Sequence, residues 1–443
     1  MLPSMCSFIF TDQQDVDLEA ANYYTQLRGP DYTSTVNQNG YLFVHNLLSI
    51  TGDMTTQPFI KDNICCLYNG EIYNYQDFGD YASDGECLID LYKKHGPRFV
   101  KELDGEFALV LVDFAKSIFM IATDPFITKP LWYHISEEDV CVASYGSCIK
   151  AMGLSDTKLN ANTVNVYDLY SRTKIESFQT YDWDLTQHKE SYDDWFKAFE
   201  EAVANLTRGV REDIFIGLSS GYDSGAISCV LNKQKVPYKA YSVVGKENQE
   251  LLNARHERLP EGQFIEAVRG EDGYEVQDHL DKNVEEFMYR IYSSSTNYDE
   301  FDRRLRDDAG TEGLAMICEE AVADERKIYL SGSGADETIS DYGWKGERYF
   351  CHSNFGGLFP EDLSTIFPWA SFYGSSMVSY LVKEEYVAGS YGLETRYPFL
   401  DKKVVQEFLW LKAELKNRNY KSVIDAYLTS EDYPFEKNKK RGF

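Results

Sequence analysis

Residues 213–218 read DIFIGL and run directly into Ser219-Ser220-Gly221-Tyr222-Asp223-Ser224. A strand-length apolar run that ends in small hydroxyl residues and then opens the helix-like stretch GAISCVL leaves several main-chain N–H groups free. Those donors and the helix dipole form a seat for phosphate. Gly221 lets the backbone approach an anion, and the serine hydroxyls add donors. No GKS or GKT follows, which separates this loop from that of nucleotidases transferring a γ-phosphate. Asp223 would repel a phosphate unless a cation lay between them, and so implies Mg²⁺. A Ser/Asp-rich helix N-cap is the plainer reading of the same stretch. A second loop weighs against it: LSGSGADE (330–337) repeats the design, with Ser331-Gly332 after a strand and Asp336 and Glu337 opening a helix. Two acidic, glycine-bearing loops at strand ends can hold one Mg²⁺–pyrophosphate between them.

The elements that must position these loops change character along the chain. Up to about Asp184, β-branched and aromatic runs such as YLFVHNLLSI (41–50), ICCLYNGEIYNY (64–75), FALVLVDF (107–114) and SIFMIATD (117–124) are separated by turn residues. With helices such as GECLIDLYKKHG (85–96), they predict stacked sheets covered by helices. From about residue 190, Trp195, Phe199, Ala202, Val203 and Leu206 fall at helical spacing. The strands IFIGL, YKAYSVVG (238–245) and KIYLSGSG (327–334) then alternate with helical stretches. That alternation predicts a parallel sheet whose ligands sit beyond the carboxyl ends of the strands, so both loops should face one crevice.

The 443-residue length suits two domains, because single cores rarely grow beyond about 250–300 residues. A net charge of −28 argues against a nucleic-acid surface, which needs clustered Lys and Arg. The nine cysteines form no CxxC pair, His is too sparse to complete a zinc site, and the odd count suits a reducing compartment. The N-terminus, MLPSMCSFIF, lacks the basic region and long apolar core of a signal peptide, and no apolar run approaches a membrane span. The expectation is a soluble, cytoplasmic protein.

Several motifs, in order over nearly the whole chain, carry a resemblance. LSSGYDS resembles the LSGGxDS pyrophosphate loop of the ATP-pyrophosphatase superfamily. LSGSGADE with LETRYPFLD (393–401) looks like the synthetase domain of the asparagine synthetase family, and NKKRGF (438–443) matches part of that family's RPKxGF. RGPD (28–31), NGEIYNY (69–75), SDGE (83–86), DGEFA (104–108) and DPFITKPLWY (124–133) resemble its class II glutamine amidotransferase domain. The resemblance implies an α/β and α+β chain. Residues 1–185 would form an Ntn-hydrolase-like αββα sandwich, and residues 190–443 a parallel-sheet, adenine-nucleotide α-hydrolase-like domain. The implied activity uses ATP to adenylate a carboxylate, aspartate by default, releasing pyrophosphate and AMP as nitrogen is transferred. ATP and Mg²⁺ are the implied cofactors. The partners are small molecules (ATP, an amino or carboxylic acid, glutamine or ammonia), with no nucleic acid, no membrane, and a homodimer as one allowed assembly.

Carried over residue by residue, the resemblance places Ser219, Gly221 and Ser224 on pyrophosphate and Asp223 and Asp336 on Mg²⁺. Leu218, Val244, Ser331 and Gly332 match positions lining the adenosine site. Lys440 falls on the catalytic lysine, where it would neutralise charge growing in the transition state. Cys6 matches the amidotransferase nucleophile, Asn69 and Gly70 its oxyanion hole, and Glu71 and Asp84 the groups holding the glutamine amine. Three departures stand out. Ser333 replaces the Glu of LSGEGADE, or the Tyr of β-lactam-forming relatives, and serine is a poor base. Leu47 replaces the arginine of HxRLSI, and leucine cannot replace a bidentate guanidinium. Residues 1–5 precede Cys6, whose α-amine is the family's general base. With them attached, the chain is expected to use ammonia or another amine better than glutamine. The alternatives are a relative acting on another acid and amine with an inactive glutaminase half, a nucleotide-binding regulatory protein, or a thiolase or tRNA-modifying relative.

Overall fold

The buried run Phe107–Val112 shows how the first half is built. It lies within β6 (Gly105–Asp113), whose alternate residues join two different cores. Phe107, Leu109 and Leu111 pack beneath helix α2 (Cys87–His95), while Ala108, Val110 and Val112 pack against Phe8, Phe10 and Phe43 of a second sheet. Both faces are covered, so the strand is apolar throughout instead of alternating. The computed structural model describes residues 6–23, 25–48, 55–210, 213–245, 247–266, 288–292, 300–304, 309–350 and 353–441. The chain divides into two compact units: Met1–Asp182 with Gly389–Gly392, and Trp183–Ala388 with Leu393–Phe443.

The first unit stacks two six-stranded antiparallel sheets. In one, the order is β10 (Thr157–Lys158), β8 (Trp132–Ile135), β9 (Val140–Ala143), β1 (Cys6–Thr11), β3 (Tyr41–Leu47) and β2 (Tyr32–Gln38). In the other, it is β12 (Lys174–Phe178), β11 (Val164–Asp168), β7 (Ile118–Thr123), β6, β5 (Ile64–Ile72) and β4 (Phe59–Lys61). α2 covers the outer face of the second sheet, and α3 (Gly146–Ala151), which touches α1 (Leu18–Asn22), packs on β8 and β9 of the first. This is the αββα sandwich the resemblance implied.

One buried group strains this sandwich. His45 of β3 pairs with Phe8, is fully buried, and has no hydrogen-bond partner on either ring nitrogen. Burial lowers its pKa to about 3. Because the folded value lies below the unfolded one, stability is present above pH 6.5 and is lost as the pH falls towards 3. About 2 kcal/mol should disappear between pH 7 and pH 5 through this group alone. His45→Leu, which keeps the apolar contact and removes the titration, should flatten that acid limb in denaturant melts of the two proteins. An unchanged limb would mean that His45 does not titrate in the unfolding transition.

The second unit holds a five-stranded, all-parallel sheet ordered β15 (Glu261–Glu266), β14 (Lys239–Val244), β13 (Ile214–Gly217), β16 (Ile328–Leu330) and β17 (Glu394–Arg396). Chain order runs outward from β13 in one direction and from β16 in the other, so the order reverses between these two neighbours. Ligands of open parallel sheets bind beyond the carboxyl ends at such a point. Helix α4 (Asp193–Leu206) buries Trp195, Phe199, Ala202, Val203 and Leu206, the face its spacing predicted. α5 (Tyr222–Gln234) follows β13 directly and is buried over most of its length.

Candidate active sites

The loop after β13 is tied back on itself. Ser224 Oγ accepts from Ser219 N at 3.0 Å, and Gly221 N donates to Ser219 Oγ at 3.0 Å. Arg255, on α6 (Gln249–His256) and wholly buried, donates to the carbonyls of Ser219 and Gly221, so these oxygens turn away from the crevice. A Cβ on Gly225 would lie 2.4 Å from the Arg255 guanidinium, which explains a glycine inside α5. Ser220, where the superfamily motif has glycine, gives both its N–H and its hydroxyl to Glu247 Oε2.

The loop after β16 meets the first one closely. A Cβ on Gly332 would fall 2.8 Å from Asp223 Cβ, so only glycine permits this approach. The consequence is electrostatic: the carboxylates of Asp223 and Asp336 converge on one ammonium. Lys421 Nζ donates to both oxygens of Asp223 at 2.6 and 2.7 Å and contacts Asp336 Oδ1 at 2.9 Å. Lys440 Nζ contacts Asp336 Oδ2 at 2.5 Å, and the Tyr420 hydroxyl donates to Oδ1 at 2.9 Å. Burial raises the Asp223 carboxyl, with Lys421 opposing it. At Asp336, burial also pushes upward, but Lys421 and Lys440 together outweigh it and hold the group below the usual carboxylate range. Burial lowers Lys421, and the two aspartates more than restore it. Burial, with Asp336 beside it, pushes Glu337 up to about 7.

Leu218, Ser219, Asp223, Ser224, Gly332, Ser333, Asp336 and Lys440 line one cavity. Gly221, Val244 and Ser331 lie next to it without lining it; Val243 lines the wall in place of Val244, and the Ser331 hydroxyl turns to Glu384. Gly442 and Phe443, part of the C-terminal motif, lie outside the described residues. Four participants were not singled out from sequence: Lys421, Arg255, Glu247 and Glu384. Lys421 has one local sign of a special role, a left-handed backbone (φ +47°) just ahead of helix Ser422–Ser430. The donor set suits Mg²⁺. Two carboxylates share one cation position, and Mg²⁺ is typically held by one or two carboxylates together with substrate phosphates and water. The Lys421 ammonium lies at that position, bridging the two carboxylates.

In the first unit, Cys6 opens β1 with its side chain, like those of Phe8 and Phe10, on the face towards the second sheet. It is fully buried; its N–H donates to Asn69 Oδ1 at 3.3 Å, and Arg28 Nε donates to its carbonyl at 3.2 Å. The Asn69 Nδ2 group is buried with no partner, a donor available to an oxyanion. Gly70 has φ +137°, and a Cβ there would collide with the Glu106 carbonyl at 1.9 Å, so this position tolerates only glycine. Glu71 shares this strand and is buried. Asp84 accepts from the Tyr68 hydroxyl at 2.5 Å and from Ile72 N at 2.8 Å, so each carboxylate oxygen already has a protein donor. Leu47 pairs directly with Cys6 and is buried.

A strand opening with Cys6 in an αββα sandwich, with an Asn-Gly pair on the facing sheet, and two glycine-bearing loops around one cavity fit an amidotransferase–synthetase class of protein. Comparison with known proteins agrees. Residues 5–182 match the glutamine amidotransferase domain family, and residues 195–370 match the asparagine synthase family. Asparagine synthetase B [glutamine-hydrolyzing] of Escherichia coli is 26% identical over 85% of this chain and 68% of its own length. The human asparagine synthetase [glutamine-hydrolyzing] is 24% identical over 92% of this chain and 76% of its own. The chain belongs to the asparagine synthetase family. No helix among the described residues is long and apolar enough to cross a membrane.

Proposed function

We propose that the chain is an ATP-dependent, glutamine-hydrolysing amide ligase that activates a carboxylate as its acyl-adenylate, with aspartate as the acid. The observation that carries this reading is the convergence of Asp223 and Asp336 on one cation position, flanked by Lys440, at the strand-order reversal. The N–H groups of Ser219, Ser220 and Gly221 are taken up within the protein, so the N–H groups of Tyr222–Ser224 at the start of α5 would be the donors to the departing pyrophosphate. Asp223 and Asp336 would hold Mg²⁺, which when bound neutralises phosphate charge. Lys421 and Lys440 then serve as cations for the phosphate oxygens. Leu218 and Val243 give the adenine an apolar wall. The acid's oxygen attacks the α-phosphorus, the bond to pyrophosphate breaks, and the amine later displaces AMP from the acyl carbon.

In the first unit, where Cys6 is freed as the N-terminal residue, its Sγ attacks the glutamine amide, its own α-amine takes the thiol proton, and Asn69 with the Gly70 N–H stabilises the oxyanion. Asn69 Oδ1 accepts from Cys6 N, and the same contact would orient the amine once Cys6 is the N-terminal residue. Incubation of a chain that begins at Cys6 with ATP, Mg²⁺, aspartate and glutamine tests the reading: AMP, pyrophosphate, glutamate and asparagine should form together. ADP and phosphate in place of AMP and pyrophosphate would contradict it.

Lys440 carries a second prediction. Its ammonium sits at Asp336 with 16% of the side chain exposed, and it lines the cavity. Lys440→Ala should lower amide formation by roughly 10² or more, as expected when one preorganised transition-state charge is removed, with the melting temperature nearly unchanged. A variant altered only in thermal stability would make Lys440 a structural residue.

A further inference from the structure

The cavity wall contributed by Ser333 raises a chemical problem. A neutral amine that adds to an acyl carbon becomes cationic and must lose a proton, and a serine hydroxyl does not accept one at neutral pH. The structure places a carboxylate behind the serine. Ser333 Oγ donates to Glu384 Oε1 at 2.9 Å, and Ser331 Oγ donates to Glu384 Oε2 at 2.6 Å. Glu384 lies on helix α8 (Ser376–Ser390, counting α7 as Ala309–Ala323), is 8% exposed, and lines the same cavity as Asp336 and Lys440. Each oxygen keeps a lone pair beyond the one used by its serine.

We infer that Glu384, held in position by Ser331 and Ser333, is the group that accepts the proton of the incoming amine. This rests on the proposed acyl-adenylate reading. The amine nitrogen bonds to the acyl carbon, the carbon–oxygen bond to AMP breaks with its electron pair going to AMP, and the nitrogen's proton passes to a Glu384 oxygen. The serine hydroxyls then act as positioning groups. Burial raises the Glu384 carboxyl, the two serines and Lys383 oppose this, and Glu385 adds to it; a raised carboxylate is a stronger proton acceptor. Lys383, 4.5 Å from the Tyr380 ring centroid, lines the same wall and gives it an adjacent positive charge.

The test separates activation from amide formation. Wild type and Glu384→Gln are compared in ATP–pyrophosphate exchange with aspartate, in amide formation with ammonia, and in hydroxamate formation with hydroxylamine, a nucleophile already neutral at the assay pH. For Glu384→Gln, exchange should stay within about threefold of wild type and ammonia-dependent amide formation should fall by roughly 10² or more. Its hydroxamate formation should fall by less than about tenfold, because the weaker base needs less help. Amide formation at the wild-type rate would overturn the assignment, as would loss of exchange in a variant that melts like wild type. If Glu384→Gln does not fold, the double variant Ser331→Ala, Ser333→Ala decides. It leaves the carboxylate but removes its donors, and should lower amide formation about tenfold more than it lowers exchange. Unchanged amide formation there also overturns the proposal. Absence of exchange in the wild type with any amino or carboxylic acid would instead remove the adenylation reading, and this inference with it.

Discussion

In a chain that begins at Cys6, Cys6→Ala should abolish glutamine-dependent amide synthesis, a loss of about 10⁴-fold or more for a missing nucleophile. Ammonia-dependent synthesis should stay within about twofold, because the nucleotide crevice is built wholly from the second unit's strands and loops. The size of the loss follows from the local chemistry. Cys6 is buried, and Asn69 offers the only oxyanion side chain proposed there. A companion chain that keeps residues 1–5 has an amide nitrogen at Cys6, which has no basic lone pair, and should use ammonia only. Glutamate release from glutamine at equal rates by Cys6→Ala and wild type would place the hydrolysis elsewhere. Hydrolysis by the chain that begins at Cys6 would show that the site tolerates Leu47 in place of the arginine.

The second large effect is expected at the paired aspartates. Asp223→Asn and Asp336→Asn should each reduce pyrophosphate release by roughly 10³. Both carboxylates address one cation position, so removing either charge would leave the proposed Mg²⁺ with a single protein carboxylate and leave Lys421 partly unpaired in the interior. Breaking a buried pair in this way also destabilises, so the second unit should melt earlier. In a chain that begins at Cys6, glutaminase activity in the first unit provides the control for intact protein. Turnover at the wild-type level in either variant would remove the cation-bridge argument.

Which parts were legible in the sequence follows from the range of the interactions. Strand runs such as Phe107–Val112 and the α4 face Trp195–Leu206 are local patterns, and the structure places them as the periodicity predicts. The two loops were recognisable because small residues at strand ends have a mechanical purpose; the 2.8 Å Gly332–Asp223 approach displays it. Lys421 and Arg255 were not legible. Lys421 lies 198 residues beyond Asp223 and its neighbours form no motif, while Arg255 acts through carbonyls that any sequence would supply. Glu384 was missed for the same reason. A helix residue 51 positions from Ser333 carries no mark of its partner until the chain folds.

The oxygen bookkeeping of the reaction tests the central claim most directly. If the crevice adenylates its acid, an oxygen of the carboxylate becomes bonded to the α-phosphorus and leaves with it when the amine attacks. Aspartate labelled with ¹⁸O in its side-chain carboxylate, incubated with ATP, Mg²⁺ and ammonia, should therefore yield AMP carrying one ¹⁸O and unlabelled pyrophosphate by mass spectrometry. Label in inorganic phosphate with ADP as the other product, or amide formed with unlabelled AMP, would contradict it.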